Sequence, residues 1–308
     1  MLTYLVILLD DTSVSYCHYE NTHKDRNLID LDVLQRGIIW AMKENLNIQF
    51  VYPKEPLPEE YNKVIESIDH TKIGPLDCGK ELDVVIADSL LEDGIFNKCV
   101  VWRCNLQELK EKEAIIKDTL DKVSRLNVVL TGIPQWKQNE FNIYKNLLEH
   151  FVEYIIELYE NGKFVQFNLL TDRLSLNAMN NCNAGDSSLV LAPDGKFYIC
   201  PAFYPKENVG SLEKGLVIPN QHLYKLGYAP ICRVCDAFQC KRCIWMNRNT
   251  TLDYNTPSHE QCLVAHLERN ASRLLQEKFV EHGIRLKHSY EILEIDYLDP
   301  INIVNKWK

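Results

Sequence analysis

The sequence has no excess of positive charge. Lys and Arg total 34 against 43 Asp and Glu over 308 residues, a formal net charge of −9. That balance argues against non-specific binding to nucleic acid or to anionic membranes, both of which favour basic surfaces. Long apolar runs are missing too. None approaches the roughly 20 residues that a membrane span requires. The apolar stretch over residues 1–9 has no basic leader, and Asp10 and Asp11 follow it at once where a secretory signal would offer small residues. Internal repeats and low-complexity tracts are also lacking. The expectation is a cytoplasmic protein without a nucleic-acid or membrane partner, in a compartment that keeps thiols reduced.

What is present first is an alternation of strand and helix patterns. Short runs rich in β-formers at 3–9, 48–52, 82–87, 100–103 and 126–131 predict strands. Between them, Asp30 caps a helix carrying Leu31, Leu34, Ile38, Ile39 and Met42 at helical spacing, and further helices are expected over 59–68, 106–123 and 141–159. Asn161-Gly162 closes the last of these as a glycine C-cap. Strands separated by helices imply parallel pairing through crossovers. Residues 1–165 therefore read as an α/β domain, an open parallel sheet or a partial barrel.

The pattern changes in the second half, residues 166–308. A strand over 164–170 runs into a turn at Thr171-Asp172-Arg173-Leu174, and helical periodicity then fades from Cys182 to about His266. Two β-prone runs, 188–192 and 196–199, flank Asp194-Gly195 and predict a hairpin, with Cys182 and Cys200 just outside its arms and brought together by it. An amphipathic helix over 263–281 and a strand-like tail with Ile292, Leu293, Ile295 and Tyr297 complete the chain.

Seven of the eleven cysteines fall between Cys182 and Cys262. Cysteines gathered this densely signify disulfides, zinc or an iron–sulfur cluster. A reducing compartment counts against disulfides. The pairs Cys232-x2-Cys235 and Cys240-x2-Cys243 could hold one zinc, but they stand closer together than zinc knuckles commonly do, and zinc leaves Cys182, Cys200 and Cys262 without a role. Seven thiolates suit one four-cysteine cluster and a second with three cysteines and another ligand or an open position. Spacing favours iron–sulfur and leaves zinc as the alternative.

The order Cys182, Gly195-x4-Cys200, Cys232-x2-Cys235-x4-Cys240-x2-Cys243, Cys262 resembles the SPASM domain, which extends many radical SAM peptide-modifying enzymes and holds two auxiliary 4Fe–4S clusters. The match covers about 80 residues and departs from the usual Cys-x2-Cys-x5-Cys-x3-Cys by one residue in each of two gaps. The resemblance implies one cluster on Cys182, Cys200 and Cys243 and another on Cys232, Cys235, Cys240 and Cys262. Radical SAM enzymes also carry Cys-x3-Cys-x2-Cys after their first barrel strand to bind the catalytic cluster. Here only Cys17 follows the first strand, and Cys78, Cys99 and Cys104 are scattered. The resemblance thus implies a degenerate radical-SAM-like barrel with no site for S-adenosylmethionine. More narrowly, 167–185 and 192–204 are similar to the CXXX repeat peptide maturase family, whose members are encoded beside radical SAM enzymes and cysteine-repeat precursor peptides.

What the resemblance implies for function is an accessory iron–sulfur subunit. It would form a heterodimer with a separate radical SAM enzyme and take part in post-translational modification, such as thioether formation, of a cysteine-repeat ribosomal peptide. A peptide-binding module with structural clusters and a zinc scaffold are the alternatives. No catalytic residue is assigned. Several further residues carry open readings. Phe197, Tyr198, Phe203 and Tyr204 around Cys200 form either a water-excluding shell or a peptide-docking surface, and Arg233, Lys241 and Arg242 either offset cluster charge or face solvent. Asp186 and Asp236 are candidates for a non-cysteine fourth ligand, with plain exposure the ordinary expectation for such acids. Asp10, Asp11 and Asp25 are expected to solvate the loop after the first strand, Cys17 and His18 to be unremarkable, and Asp172-Arg173 to be a local turn pair or part of a domain interface.

Overall fold

The computed structural model describes residues 2–90, 95, 98–175, 182, 184–237, 243–286 and 289–292. In chain order the elements are β1 (Tyr4–Leu8), α1 (Leu31–Lys43), β2 (Asn47–Val51), α2 (Glu59–Ile65), β3 (Thr71–Pro75), β4 (Val84–Ala87), β5 (Cys99–Cys104), α3 (Leu106–Glu111), α4 (Glu113–Lys122), β6 (Arg125–Leu130), α5 (Gln138–Glu160), β7 (Gln166–Phe167), α6 (Asp172–Ser175), β8 (Ser188–Leu191), β9 (Lys196–Tyr198), β10 (Asn208–Ser211), β11 (Gly215–Leu216), α7 (Ile244–Thr251) and α8 (His259–Glu281). They fall into two compact units, Met1–Asp88 with Asn183–Lys225, and Ser89–Cys182 with Leu226–Lys308.

In the first unit β1 is central. It pairs in parallel with β2 on one side and with β8 on the other, and β3 and β4 extend the parallel run beyond β2. Leu5 and Ile7 of β1, Phe50 and Val51 of β2 and Leu189 and Leu191 of β8 are fully buried, as expected for strands covered on both faces. β8 and β9 form the antiparallel hairpin, with Val190 opposite Tyr198 and Leu191 opposite Phe197. Its turn works as the sequence predicts. Gly195 takes φ +73°, and the Asp194 carboxylate accepts the Lys196 N–H at 3.1 Å. β10 and β11 continue the antiparallel edge.

Helix α1 begins where Asp30 caps it, its carboxylate accepting the Asp32 N–H at 2.9 Å. The buried face, however, is Leu34, Gly37, Ile38 and Ala41, while Ile39 and Met42 are exposed. Gly37 is what lets the helix approach the sheet, since a Cβ there would overlap Leu191 Cδ2.

In the second unit β5, β6 and β7 pair in parallel, and α5 and α8, 23 residues each, pack on one another. α5 buries Phe141, Tyr144, Leu148, Phe151 and Ile155, and beside them Leu147, Val152, Ile156 and Tyr159, a face broad enough to have neighbours on two sides. Tyr159 stacks on Phe279 of α8, ring centroids 5.1 Å apart. Gly162 ends α5 with φ +77°, as its C-cap signal predicts.

Three local expectations are corrected. The helix over 106–123 is two helices, α3 and α4, because Lys112 leaves helical geometry at φ −99°, ψ 16°. The strand over 164–170 shrinks to β7. Thr171 Oγ1 accepts the Phe167 N–H at 2.8 Å, and the Asn168 side chain replaces backbone in the ladder, bonding both the N–H (2.7 Å) and the C=O (2.9 Å) of Val128. The helix over 59–68 stops at Ile65. β3 has no counterpart in the sequence expectation, since Thr71-Lys-Ile-Gly-Pro75 holds one strongly apolar residue. Of the strand-like tail, Ile292 is buried and the residues after it lie outside those described. No helix among the described residues is long and apolar enough to cross a membrane.

Gly37→Val is expected to lower stability by about 1–3 kcal/mol through overpacking against Leu191. The urea midpoint measures it, with Gly227→Ala, which meets open space, as the unchanged control.

Candidate metal centre

Four of the described candidate cysteines, Cys200, Cys232, Cys235 and Cys243, stand at the beginnings of short helical segments or just after them. Cys200 follows β9 and precedes the 3₁₀ turn Pro201–Phe203, and its Sγ accepts the Ala202 N–H at 3.4 Å. Cys232 opens the 3₁₀ turn Cys232–Val234, and Cys235 follows it with Sγ accepting the Ala237 N–H at 3.4 Å. Cys243 caps α7, its Sγ accepting the Met246 N–H at 3.4 Å. Cys262 sits in the first turns of α8, and Cys182 is exposed. Cys240, Lys241 and Arg242 lie outside the described residues. Backbone N–H groups aimed at sulfur are what thiolate ligands of zinc or an iron–sulfur centre require, so the residues present fit such a group.

Cys78 and Cys104 differ. Both are buried, and burial pushes both thiols up from their ordinary value, the opposite of what a ligand needs. They are core residues.

The second unit gives the centre its geometry. Ser258 caps α8 and accepts the Gln261 N–H at 3.3 Å, and the Gln261 side chain reaches Asn247 of α7 at 3.1 Å. This fixes where Cys262 stands. His266 and Arg269 follow at four and seven residues, along the same helix face. Cys235 Sγ lies 3.5 Å from His266 Nε2, and Arg269 Nη1 donates to Asp236 Oδ2. The segment Cys232–Asp236 is therefore seated on the α8 face that carries Cys262, which brings Cys235 to the side of the helix where Cys262 stands. Asp236, His266 and Arg269 are each 2% exposed or less.

Asp236 thus departs from the expectation of an exposed acid. Its charge is met by a buried guanidinium, so it serves as an anchor. The other candidate, Asp186, faces Lys225 at 3.7 Å. Asp172 and Arg173 do not pair with each other. Asp172 accepts from Arg125 at 2.7 Å, while Arg173 donates to Glu268 of α8 at 2.6 Å, and the same carboxylate accepts from Tyr144 of α5 at 2.8 Å. Arg233 is exposed.

In the first unit the loop after β1 is built around Asp10, which is fully buried rather than solvating. Its carboxylate accepts the Thr12 N–H (2.7 Å), the Thr12 hydroxyl (2.6 Å) and Arg26 Nε (3.2 Å). Asn21 Nδ2 spans the loop to the carbonyls of Asp11 (2.7 Å) and Ser13 (2.8 Å). Tyr204 donates its hydroxyl to Asp11, and Tyr198 donates to Asp194 at 2.7 Å. Burial pushes both phenols well above their usual range. Phe197 is buried against Trp40, 4.6 Å between centroids. Phe197 and Tyr198 are thus core residues rather than a docking surface. Cys17 is half-buried and Asp25 exposed.

Sequence reasoning did not single out His266, Arg269 or Glu268. The usable signal is the spacing Cys262-x3-His266-x2-Arg269 on an amphipathic helix.

Arg269→Met is expected to cost about 3–5 kcal/mol, because it removes the buried guanidinium that bonds the Asp236 carboxylate, and adding Asp236→Leu should recover most of the loss. Hydrogen-exchange protection across α7 and α8 reads both effects.

No protein-family model and no curated protein matches the sequence. Solved structures do. The chain is similar to anSMEcpe bound to AdoMet and the Cp18Cys peptide, with a TM-score of 0.56 and 14% identity over 92% of this chain and 100% of that one. The AdoMet complex of anSMEcpe gives 0.54 and 13% over 91% and 100%. Streptococcus suis SuiB bound to S-adenosylmethionine gives 0.44 and 11% over 85% and 75%, a score too low to bear on the fold. With its parallel-dominated strands and crossover helices, the chain has a radical-SAM-like α/β fold.

Proposed function

We propose that the chain is an accessory iron–sulfur subunit that works with a separate radical SAM enzyme to modify a cysteine-repeat ribosomal peptide in the cytoplasm. Residues 1–165 are read as the degenerate α/β part and 166–308 as the auxiliary-cluster part. Cys182, Cys200, Cys232, Cys235, Cys240, Cys243 and Cys262 are the proposed ligands of two 4Fe–4S clusters.

The observation that carries this reading is the loop after β1. In a radical-SAM-like fold, the resemblance puts a cysteine triplet there. Here the space belongs to Asp10, bonded to Thr12 and Arg26, with Cys17 as its single cysteine. The chemistry that needs S-adenosylmethionine is therefore assigned to a partner, while the cysteine-rich half keeps its thiols and their N–H donors.

A peptide as ligand is supported by the likeness to anSMEcpe, whose structure holds the Cp18Cys peptide. It is supported also by Tyr228, Ile231 and Val234, exposed apolar side chains bracketing Cys232. In a thioether link, the partner's radical removes one hydrogen atom from carbon and the peptide thiol gives up its proton as the C–S bond forms. One electron remains, and an acceptor for it is what an auxiliary cluster supplies when bound.

Protein purified anaerobically should contain about eight irons with matching sulfide per chain. It should be inert towards S-adenosylmethionine alone, and active on peptide only when mixed with the partner. Stoichiometric zinc without sulfide, or peptide modification by the isolated chain, would overturn the reading.

A further inference from the structure

Among the described residues of the second unit, four side chains form a polar file. Cys235 Sγ stands 3.5 Å from His266 Nε2, His266 Nδ1 stands 3.9 Å from Asp236 Oδ1, and Asp236 Oδ2 accepts from Arg269 Nη1. The sulfur, a carboxylate oxygen and a ring nitrogen lie within 4.8 Å of one another. Such a trio could hold a separate ion, but its members are engaged. The Asp236 carboxylate is satisfied by Arg269, and Cys235 already belongs to the Cys232-x2-Cys235 pair. A terminal ligand set on a 4Fe–4S cluster gives each iron one protein atom, so a nitrogen 3.5 Å from one ligand sulfur is not a second ligand on the same iron. That distance is an ordinary N–H···S separation.

We propose that His266 is a positioning residue for the cluster held by Cys235. With its hydrogen on Nε2 it donates to the Cys235 thiolate, and the Asp236–Arg269 pair fixes the distance by pinning the residue after Cys235 to the next turn of the same helix. This rests on the iron–sulfur reading above. The physical effect follows from charge. Reduction adds an electron to a cluster already negative, so a donor fixed on one of its sulfurs stabilises the reduced form more than the oxidised one and raises the potential. Because the ring, carboxylate and guanidinium are all buried, the donor acts in surroundings of low polarity, where its bond to sulfur is stronger than in water.

The test uses the full chain with its iron reconstituted anaerobically and reduced with dithionite. Pulsed EPR on protein labelled with ¹⁵N-histidine is expected to show one weak histidine nitrogen coupling, of the size transmitted through a hydrogen bond. His266→Phe should abolish the coupling and shift the cluster midpoint to lower potential at unchanged iron content, whereas His266→Gln, which keeps an N–H donor of similar reach, should restore most of the potential. A wild-type cluster with no histidine coupling overturns the proposal and leaves the accessory-subunit reading standing. A strong, ligand-sized coupling also overturns it, in favour of direct ligation. The wild-type spectrum decides these cases even if His266→Phe fails to fold. Protein that holds zinc and no iron overturns both readings.

Discussion

In the second unit a buried ion pair, Asp236 with Arg269, anchors the segment around Cys235 to α8. Neither charge has water to solvate it, so the pairing offsets the cost of burying both. The pair joins a segment with little helix or sheet, the short turns around Cys232 and Cys235, to the long helix α8, whose later residues pack on α5. A loop with few apolar residues gains little from hydrophobic burial. A single charged anchor, one residue beyond a candidate ligand, holds it in register instead. Arg173 and Glu268, one helix position before Arg269, repeat the device on the neighbouring segment, with Tyr144 as the third member.

The first unit uses a carboxylate in a comparable way to a different end. Asp10 sits at the C-terminal end of the central strand, the place where open α/β sheets put their chemistry. Three donors converge on it and close the loop. In one unit a buried acid secures the segment that carries thiols. In the other it closes the loop that follows the central strand. The two carboxylates thus play comparable structural parts, one anchoring the segment around Cys235 and the other closing the loop after β1.

The sequence was informative where local signals and residue types agree. Asp194-Gly195 between two β-prone runs gave the hairpin, Asp30 and Gly162 marked helix ends, and the cysteine spacing singled out the stretch proposed to hold metal. It was less informative where the decisive partner is distant. The burial of Asp236 depends on an arginine 33 residues away, and Asp10 depends on Arg26 across a loop without regular pattern. His266 is a single histidine on an amphipathic helix, and nothing in its neighbours distinguishes it until Cys235 is placed beside it. Ile39 and Met42 follow the apolar period of α1 but face outward, because the close approach at Gly37 turns the other side of the helix to the sheet. Asn168 ends β7 by using its side chain where backbone was expected, a substitution that propensity does not register.

The loop around Asp10 bears on protein engineering. Introducing a cysteine triplet after β1 looks like three point changes, yet each would be grafted into a network that shares its donors. Thr12 gives two hydrogen bonds to one oxygen, and Arg26 also reaches Glu55 and the Pro56 carbonyl. Replacing Asp10 alone leaves the Thr12 hydroxyl and N–H without their shared acceptor, and replacing its neighbours removes donors from a carboxylate that is fully buried. A working graft has to exchange the loop as a unit, residues 10 to 27 together, because single substitutions break hydrogen bonds that the others share.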